Sequence, residues 1–187
     1  MRGEYQKQNA AVAIAAVQAA NIQLGEKAIV RGLAAIEWPS RFQKWDERTI
    51  IDGAHNPSAA CILAQTWREV LGDQKATLVL AVLSDKDLRG ICEALAPIVA
   101  SVLLPKIRSE RAAAPEALAK ILATIFSSPA GNRSGCPTIS VTQTVAEALK
   151  LARANPNPIL ITGSLHFAGE VLAHLGGEPS AFEECAQ

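Results

Sequence analysis

The sequence predicts an α/β protein whose main body is a three-layer domain with a mostly parallel sheet. Short apolar runs alternate with amphipathic helical segments along most of the 187 residues. Runs such as "ATLVLAVL" (Ala76–Leu83) are almost continuously apolar, which is typical of strands covered on both faces. Apolar residues make up 49% of the chain and charged residues 19%, so a full hydrophobic core is available.

The N-terminal part differs in composition from the rest of the chain. Two short, alanine-rich helices are predicted from Gln6 to Ala20 and from Glu26 to Ile36, separated by the turn "NIQLG". They are too short to form a core of their own. After Trp38 and Pro39, the stretch "RFQKWDERTIID" predicts two short strands around a turn, and therefore an antiparallel hairpin at the N-terminal edge of the sheet.

Strands and helices then alternate. A helix is predicted from about Pro57 to Leu71, with Ile62, Leu63, Thr66 and Val70 on one face, followed by the strand Ala76–Leu83. Apolar spacing or turn chemistry marks the remaining elements: a helix with Leu88, Ile91, Cys92 and Leu95; the strand Ser101–Pro105; a helix with Leu118, Ile121, Leu122 and Ile125; a loop at Ser127–Pro137; the strand Thr138–Val141; a helix capped by Thr144 and Glu147 that ends near Ala154; the strand Pro158–Thr162; and a helix with Leu165, Ala168, Leu172 and Leu175.

Composition excludes several classes of protein. Eighteen basic residues balance eighteen acidic ones, which argues against a nucleic-acid binder. No stretch approaches the roughly 20 apolar residues of a membrane span. The N-terminal alanine-rich segment is better interpreted as an amphipathic helix than as a secretory signal, and the four widely spaced cysteines indicate buried thiols. We therefore expect a cytoplasmic protein without membrane or nucleic-acid partners.

Polar residues follow three predicted strands, in "IIDGAHNPS", "AVLSDKDLR" and "LITGSLHFA". Ligands of parallel sheets bind where strands end and helices begin. In the first junction, Asn56 and Pro57 are a good helix start and Gly53 permits a sharp turn. Asp52 and His55 are not needed for folding: the carboxylate suits ribose hydroxyls and the histidine suits a carboxylate or phosphate. The alternatives are that Asp52 only caps the turn and that His55 is an ordinary surface residue.

The other two junctions allow the same pair of interpretations. Lys86 lies between Asp85 and Asp87 and could be part of a solvated charge cluster, with Asp87 capping the helix, or could bind an anionic ligand group. Ser164 could be a plain helix cap or could contact an anion at the helix start. The sequence contains no GxGxxG, GxxxxGK[ST] or GxSxG motif and no convincing metal-ligand spacing.

Taken together, five segments resemble those of a known family: "GEYQKQNAAVA", "WPSRFQ", "DGAHNP", "SDKD" and "TGSLHF", in this order. The chain is similar to the C-terminal half of folylpolyglutamate synthases, often bifunctional with dihydrofolate synthase, within the Mur ligase superfamily. The resemblance implies a ligase that uses ATP to make an acyl phosphate, which the amine of L-glutamate then attacks. It also implies a smaller Rossmann-like C-terminal domain joined to an N-terminal P-loop ATPase domain.

By this resemblance, three residues are expected to bind ATP: Asn9 contacts adenine, Arg41 reaches the phosphates, and Asp52 holds the ribose. Three others are expected to bind glutamate, namely His55, Lys86 and Ser164. No catalytic set is complete in the chain, no residue of it is expected to bind metal, and the ligands of Mg²⁺ are expected in the N-terminal domain. Folate or dihydropteroate is the other substrate that the family implies.

The resemblance also implies a division of the chain. Residues 1–37 are expected to be a helical stub of the missing N-terminal ATPase domain, 38–177 the Mur ligase C-terminal domain, and 178–187 a tail. Two positions depart from the family: Tyr5 replaces a common histidine, and Ser40 replaces the usual glycine of WPGR. Because the phosphate loop is absent, we expect the chain alone to be inactive.

Two other functions remain open from the sequence. The chain could be a non-catalytic, stand-alone module that binds a nucleotide or an amino acid. It could also be the C-terminal domain of a peptidoglycan Mur ligase, although the histidine of "DGAHNP" favours the folate branch.

Overall fold

The computed structural model describes residues 4–36, 38–127 and 136–177. Contacts between Cα atoms divide the chain into two compact units, Met1–Pro39 and Ser40–Gln187. The predicted loop at Ser127–Pro137 lies mostly outside the described residues, and the predicted tail at 178–187 lies wholly outside them.

The first unit contains the two predicted helices, α1 (Glu4–Ala19) and α2 (Glu26–Ala35). Alanine and other good helix formers account for both. Within the described part of this unit, α2 has no buried residue. The expectation that these helices form no core of their own is thereby confirmed for α2.

The second unit is built on one six-stranded sheet. Its elements in chain order are β1 (Gln43–Lys44), β2 (Thr49–Ile51), α3 (Pro57–Leu71), β3 (Ala76–Leu80), α4 (Leu88–Leu95), a 3-10 turn (Ala96–Ile98), β4 (Val99–Pro105), α5 (Pro115–Phe126), β5 (Thr138–Thr142), α6 (Val145–Ala154), β6 (Ile159–Thr162) and α7 (Leu165–Gly176). The strand order is β1-β2-β6-β3-β4-β5. Among the strand pairs of the described residues, β1–β2 alone is antiparallel, with Gln43 opposite Ile51, which confirms the predicted edge hairpin.

Helices cover both faces of the sheet, which confirms the three-layer fold. One core cluster joins the sheet to α3, α4 and α5, around Trp67, Leu95 and Leu122. A second cluster on the other face joins it to α6 and α7, around Leu149 and Phe167. The inner strands are apolar on both faces because both faces are buried.

Two predicted helix faces are only partly correct. On α3, Ile62 and Val70 are exposed by 36% and 40%, while the buried side is formed by Ala60, Leu63, Ala64, Thr66 and Trp67. Trp67 decides the orientation: it is fully buried, and its indole N–H donates to the Gln74 carbonyl at 2.7 Å.

On α7, the predicted Leu165 is 48% exposed, and Phe167 and Val171 fill the core beside Ala168. Leu172 and Leu175 are partly buried against that core. Leu165 is the first residue of the helix, and its side chain extends over Gly53 instead of into the core.

Smaller differences concern strand ends and thiols. β3 ends at Leu80, three residues before the predicted Leu83, and β4 begins at Val99, two residues earlier than predicted. Of the cysteines in the described residues, Cys92 is buried, and burial raises the pKa of its thiol to about 12. Cys61 and Cys136 are exposed, so the prediction of buried thiols is wrong for these two.

The connections that follow β6 and its two neighbouring strands leave the sheet toward different faces. The connections from β2 and β3 lead to α3 and α4 on one face, and the connection from β6 leads to α7 on the other. Neighbouring loops that leave toward opposite faces open a crevice at the carboxyl ends of the strands. The fold therefore places its crevice at the ends of β2, β6 and β3, which we call the carboxyl edge.

No helix within the described ranges is both long and apolar enough to cross a membrane.

Gly163 is required where β6 ends. Its φ of 119° is rare for residues with a side chain, and a Cβ there would lie 2.4 Å from the Ala81 carbonyl oxygen. Ala81 in turn donates its N–H to Thr162 at 3.3 Å, which brings the ends of β6 and β3 together.

We predict that Gly163→Ala lowers the free energy of unfolding by about 2–4 kcal/mol, because backbone strain adds to a clash with backbone atoms that cannot move aside. Denaturant unfolding measures this. The matched control is Gly176→Ala, where a Cβ meets nothing within 4 Å in a helical turn. Equal losses in the two variants would contradict the explanation.

Candidate functional site

The carboxyl edge gathers residues from four places in the chain. Asp52 and His55 follow β2, Ser164 follows β6, and Lys86 lies in the loop after β3, and these three strands are neighbours. Arg41 precedes β1, whose Gln43 is opposite Ile51 at the end of β2. All five predicted residues of the second unit are therefore at the same end of the sheet.

Asp52 connects the end of β2 to the segment that carries Arg41. Its carboxylate oxygens accept the backbone N–H of Phe42 and of Ala54, each at 2.8 Å. Gly53 donates its N–H to the Ser40 carbonyl at 2.8 Å, which ties the same two segments a second time. A carboxylate has about four acceptor positions, so two remain for a ligand. The turn-capping interpretation of Asp52 is thus correct in part and does not exclude a ligand.

The Asp52 carboxylate is retained at an energetic cost. Its side chain is buried, and desolvation raises its pKa, partly offset by the two backbone N–H donors and by the nearby charges of Arg41 and His55. Because the folded-state pKa lies above the unfolded value, ionisation lowers the free energy of unfolding as the pH rises through that interval. Groups with pKa values shifted by burial in a crevice are candidates for ligand contact.

Arg41 is held outward by two unusual neighbours. Ser40 and Phe42 have φ values of 58° and 47°, in the left-handed region that L residues rarely adopt. Both side chains are buried, and Arg41 between them is exposed. Such strain persists only where the surroundings impose it, here through Asp52 and through the Ser40 N–H, which donates to Gln43 at 2.9 Å.

His55 is fixed by its own turn. Its Nδ1–H donates to the Gly53 carbonyl at 2.9 Å, which leaves Nε2 for a ligand. Gly53, predicted to permit the sharp turn between strand and helix, has no positive φ. It is needed because a Cβ there would meet Leu165 Cδ2 of α7 at 2.2 Å.

The starts of α3 and α4 are in contact. Asn56 caps α3 by accepting the Ala59 N–H, and Asp87 caps α4 by accepting the Gly90 N–H, as predicted. A Cβ on Gly90 would lie 2.7 Å from Pro57, so the two helix starts approach each other closely. Their partly positive N-terminal ends therefore face the same side of the unit.

Lys86 pairs with the carboxylate of Asp85, with Nζ 2.8 Å from Oδ2. The other oxygen of Asp85 binds Arg111 from the loop after β4, at 3.2 Å. The hydrogen bond from Lys86, and the charges of Lys86 and Arg111, lower the pKa of Asp85. Arg111 was not among the predicted site residues. The signal that could have found it is the basic stretch "PKIRSER", which follows the predicted strand Ser101–Pro105.

Ser164 is buried, and its hydroxyl accepts the Phe167 N–H at 2.9 Å, as an N-cap of α7. The predicted helix cap is present. The hydroxyl keeps one hydrogen to donate. Thr162, two residues earlier, donates its hydroxyl to the Ala54 carbonyl at 3.4 Å and so joins the β6 and β2 ends.

Asn9 is exposed on α1, in the first unit. Its predicted contact with adenine stays a prediction. Among the described residues, no group of three or more His, Cys, Asp and Glu side chains could hold a metal ion.

Comparison with known proteins gives a family and several relatives. Residues 40–165 match the family described as "Mur ligase, glutamate ligase domain". A dihydrofolate synthase/folylpolyglutamate synthase of Mycobacterium tuberculosis is 34% identical over 96% of this chain and 40% of its own length.

Solved structures of folylpolyglutamate synthases also match the fold of this chain. A Mycobacterium tuberculosis folylpolyglutamate synthase complexed with ADP superposes with a TM-score of 0.78 and 33% identity, covering 94% of this chain and 41% of that one. A bifunctional folylpolyglutamate synthase/dihydrofolate synthase of Yersinia pestis, complexed with AMPPNP and a Mn ion, superposes with a TM-score of 0.73 and 28% identity. This match covers 88% of this chain and 38% of that one. The chain thus spans about two fifths of the length of these relatives.

We predict that Ser40→Gly raises the free energy of unfolding by roughly 0.5–1 kcal/mol. Glycine avoids the cost of about 1–2 kcal/mol that a side chain incurs in the left-handed conformation. Part of this gain is lost because glycine gives up more conformational entropy on folding. Denaturant unfolding measures the change. Ser40→Ala is the control, because it keeps the strained φ and gains nothing. If Ser40→Gly is no more stable than Ser40→Ala, the strain at this position is not real.

Proposed function

The chain belongs to the Mur ligase family of glutamate ligase domains, and from this premise we propose that it is the C-terminal domain of an ATP-dependent ligase that adds L-glutamate to folate. The proposal covers folylpolyglutamate synthase activity and includes dihydropteroate as an acceptor. The observation that carries it is the convergence of Arg41, Asp52, His55 and Lys86 at the carboxyl edge. The names of the relatives favour the folate branch over the peptidoglycan branch.

The chemistry requires a phosphate-facing cation and a carboxylate-binding site. The acceptor carboxylate displaces ADP from the γ-phosphoryl group to form an acyl phosphate, and the glutamate amine then attacks the acyl carbon and releases phosphate. Arg41, exposed and held between two strained residues, offsets phosphate charge in the first step. Asp52 offers its two remaining acceptor positions to ribose hydroxyls.

The glutamate would lie nearer to β3 and β6. Lys86 supplies a cation for a carboxylate, and His55 has Nε2 directed away from its turn contact. Ser164 would act mainly by fixing the first turn of α7, whose N–H groups face the edge, because its oxygen already caps that helix.

No group of three metal ligands occurs among the described residues, and we assign Mg²⁺, together with the phosphate loop, to an N-terminal ATPase domain. Asn9 on α1 is assigned to adenine. The cytoplasm is the compartment in which we place the enzyme.

The proposal is tested in a chimaera in which this chain replaces the matching 40% of the Mycobacterium tuberculosis relative. We predict glutamate- and folate-dependent release of ADP by the chimaera, and a loss of roughly 100-fold to 1,000-fold in kcat on Arg41→Ala, because the transition-state charge loses its cation. The control is Arg68→Ala, at an exposed position in the last turn of α3.

The 187-residue chain alone is expected to give no ligation. A folded chimaera without ligase activity, or an Arg41→Ala variant as active as the Arg68→Ala variant, would contradict the proposed function.

A further inference from the structure

Arg111 reaches the carboxyl edge from a part of the chain that the proposed function does not use. It lies between β4 and α5, and it is attached to the loop after β3 by backbone contacts. Ser84 donates its N–H to the Arg111 carbonyl at 2.7 Å, and Ala113 donates to Val82 at 2.8 Å. A β-bridge between Leu83 and Ala112 lies between these two bonds. The backbone at Arg111 is therefore fixed against the segment that leads to Lys86.

A single carboxylate holds the two cations together. Asp85 Oδ2 is 2.8 Å from Lys86 Nζ, and Asp85 Oδ1 is 3.2 Å from Arg111 Nη2. Asp85 balances one of the two cations, and the neighbouring Asp87 carboxylate is engaged as the cap of α4 through the Gly90 N–H, so the second cation can take a further anion. All three side chains remain open to solvent, with exposures of 31% for Lys86, 46% for Asp85 and 69% for Arg111.

An ordinary surface ion pair has a different form. Arg89 and Glu93 on α4 form such a pair, one cation with one carboxylate at i and i+4. The Asp85 group instead joins two loops, holds two cations on one carboxylate, and lies at the end of the strand next to β6. Guanidinium groups bind carboxylates in a fork geometry, whereas an ammonium acts as a point charge, so the two cations suit two different carboxylates.

We propose that Arg111 is a second cation for the incoming glutamate: it binds one of the two carboxylates while Lys86 binds the other, and Asp85 is a positioning residue that sets the separation of the two cations. This inference rests on the proposed function and gives it a basis for amino-acid specificity. A dicarboxylic amino acid engages both cations, and an amino acid with one carboxylate leaves one cation without its ligand. The acceptor's own glutamyl carboxylates are the competing source of the same chemistry.

The first experiment uses the full 187-residue chain and needs no catalysis. L-Glutamate is titrated at constant ionic strength while the side-chain Nε–H signals of the arginines are followed by NMR. We expect the Arg111 signal to shift, and Arg111→Gln to weaken the binding seen at the Lys86 amide by about tenfold, since a charge-assisted hydrogen bond is lost. Arg89→Gln should leave it unchanged. L-Glutamine should bind more weakly than L-glutamate.

Equal shifts with L-glutamate and L-glutamine, equal effects of the two variants, or no shift at Arg111 would overturn the inference.

The second experiment uses the chimaera. There Arg111→Gln should raise the KM for L-glutamate about tenfold with kcat nearly unchanged, as expected for lost ground-state binding. If the KM for the folate acceptor rises instead, Arg111 binds the acceptor and the proposal is wrong.

The two proposals fail in different ways. A chimaera without ligase activity, together with Arg111-dependent binding of L-glutamate by the chain, would reject the ligase function and keep the subsite. An active chimaera that is indifferent to Arg111→Gln would keep the function and reject the subsite.

Discussion

The Asp52 carboxylate is the contact on which the arrangement of the site depends. It accepts one N–H from its own turn and one from Phe42, ten residues earlier, and so brings the exposed Arg41 to the end of β2. Burying a carboxylate is costly, as its raised pKa shows, and forcing Ser40 and Phe42 into left-handed conformations adds strain. The core of the three-layer fold supplies the stability that offsets both costs.

Close backbone approaches complete the carboxyl edge. Gly163 allows the end of β6 to touch Ala81 after β3, and Gly90 allows α4 to start against Pro57 of α3. The consequence is that three loops, widely separated in the chain, present helix starts and charged side chains within one crevice. Rigid strand ends hold these groups, which is the usual way in which an α/β sheet prepares a binding site before the ligand arrives.

Much of the fold could be predicted from periodicity, because buried strands and one-sided helices leave strong patterns. Ile91, Cys92 and Leu95 on α4 followed the pattern and are buried. The pattern was misleading on α3 and α7, where apolar residues occur on more than one side. There, packing against the sheet selected Trp67 and Phe167 over Ile62 and Leu165. Local spacing cannot show which of two apolar faces the sheet will cover.

The position of a candidate residue at the carboxyl edge was predictable where the residue follows its own strand, as with Asp52 and Lys86. The contacts that join distant segments were not: nothing in the local sequence links Asp52 to Phe42, or Asp85 to Arg111. The family resemblance supplied the ligand roles, and the physical reason for a glycine at the place of Ser40 appears only in its positive φ.

The most direct measurement of the central claim is an NMR titration of the isotope-labelled chain with ADP. The account predicts shifts that group at the carboxyl edge, around Arg41, Gly53 and Gly163, and that saturate only at high ADP because part of the nucleotide site is elsewhere. Residues at the opposite ends of the strands, such as Arg48 and Asn157, should not respond. Shifts centred on those residues, with the carboxyl edge unchanged, would contradict the account.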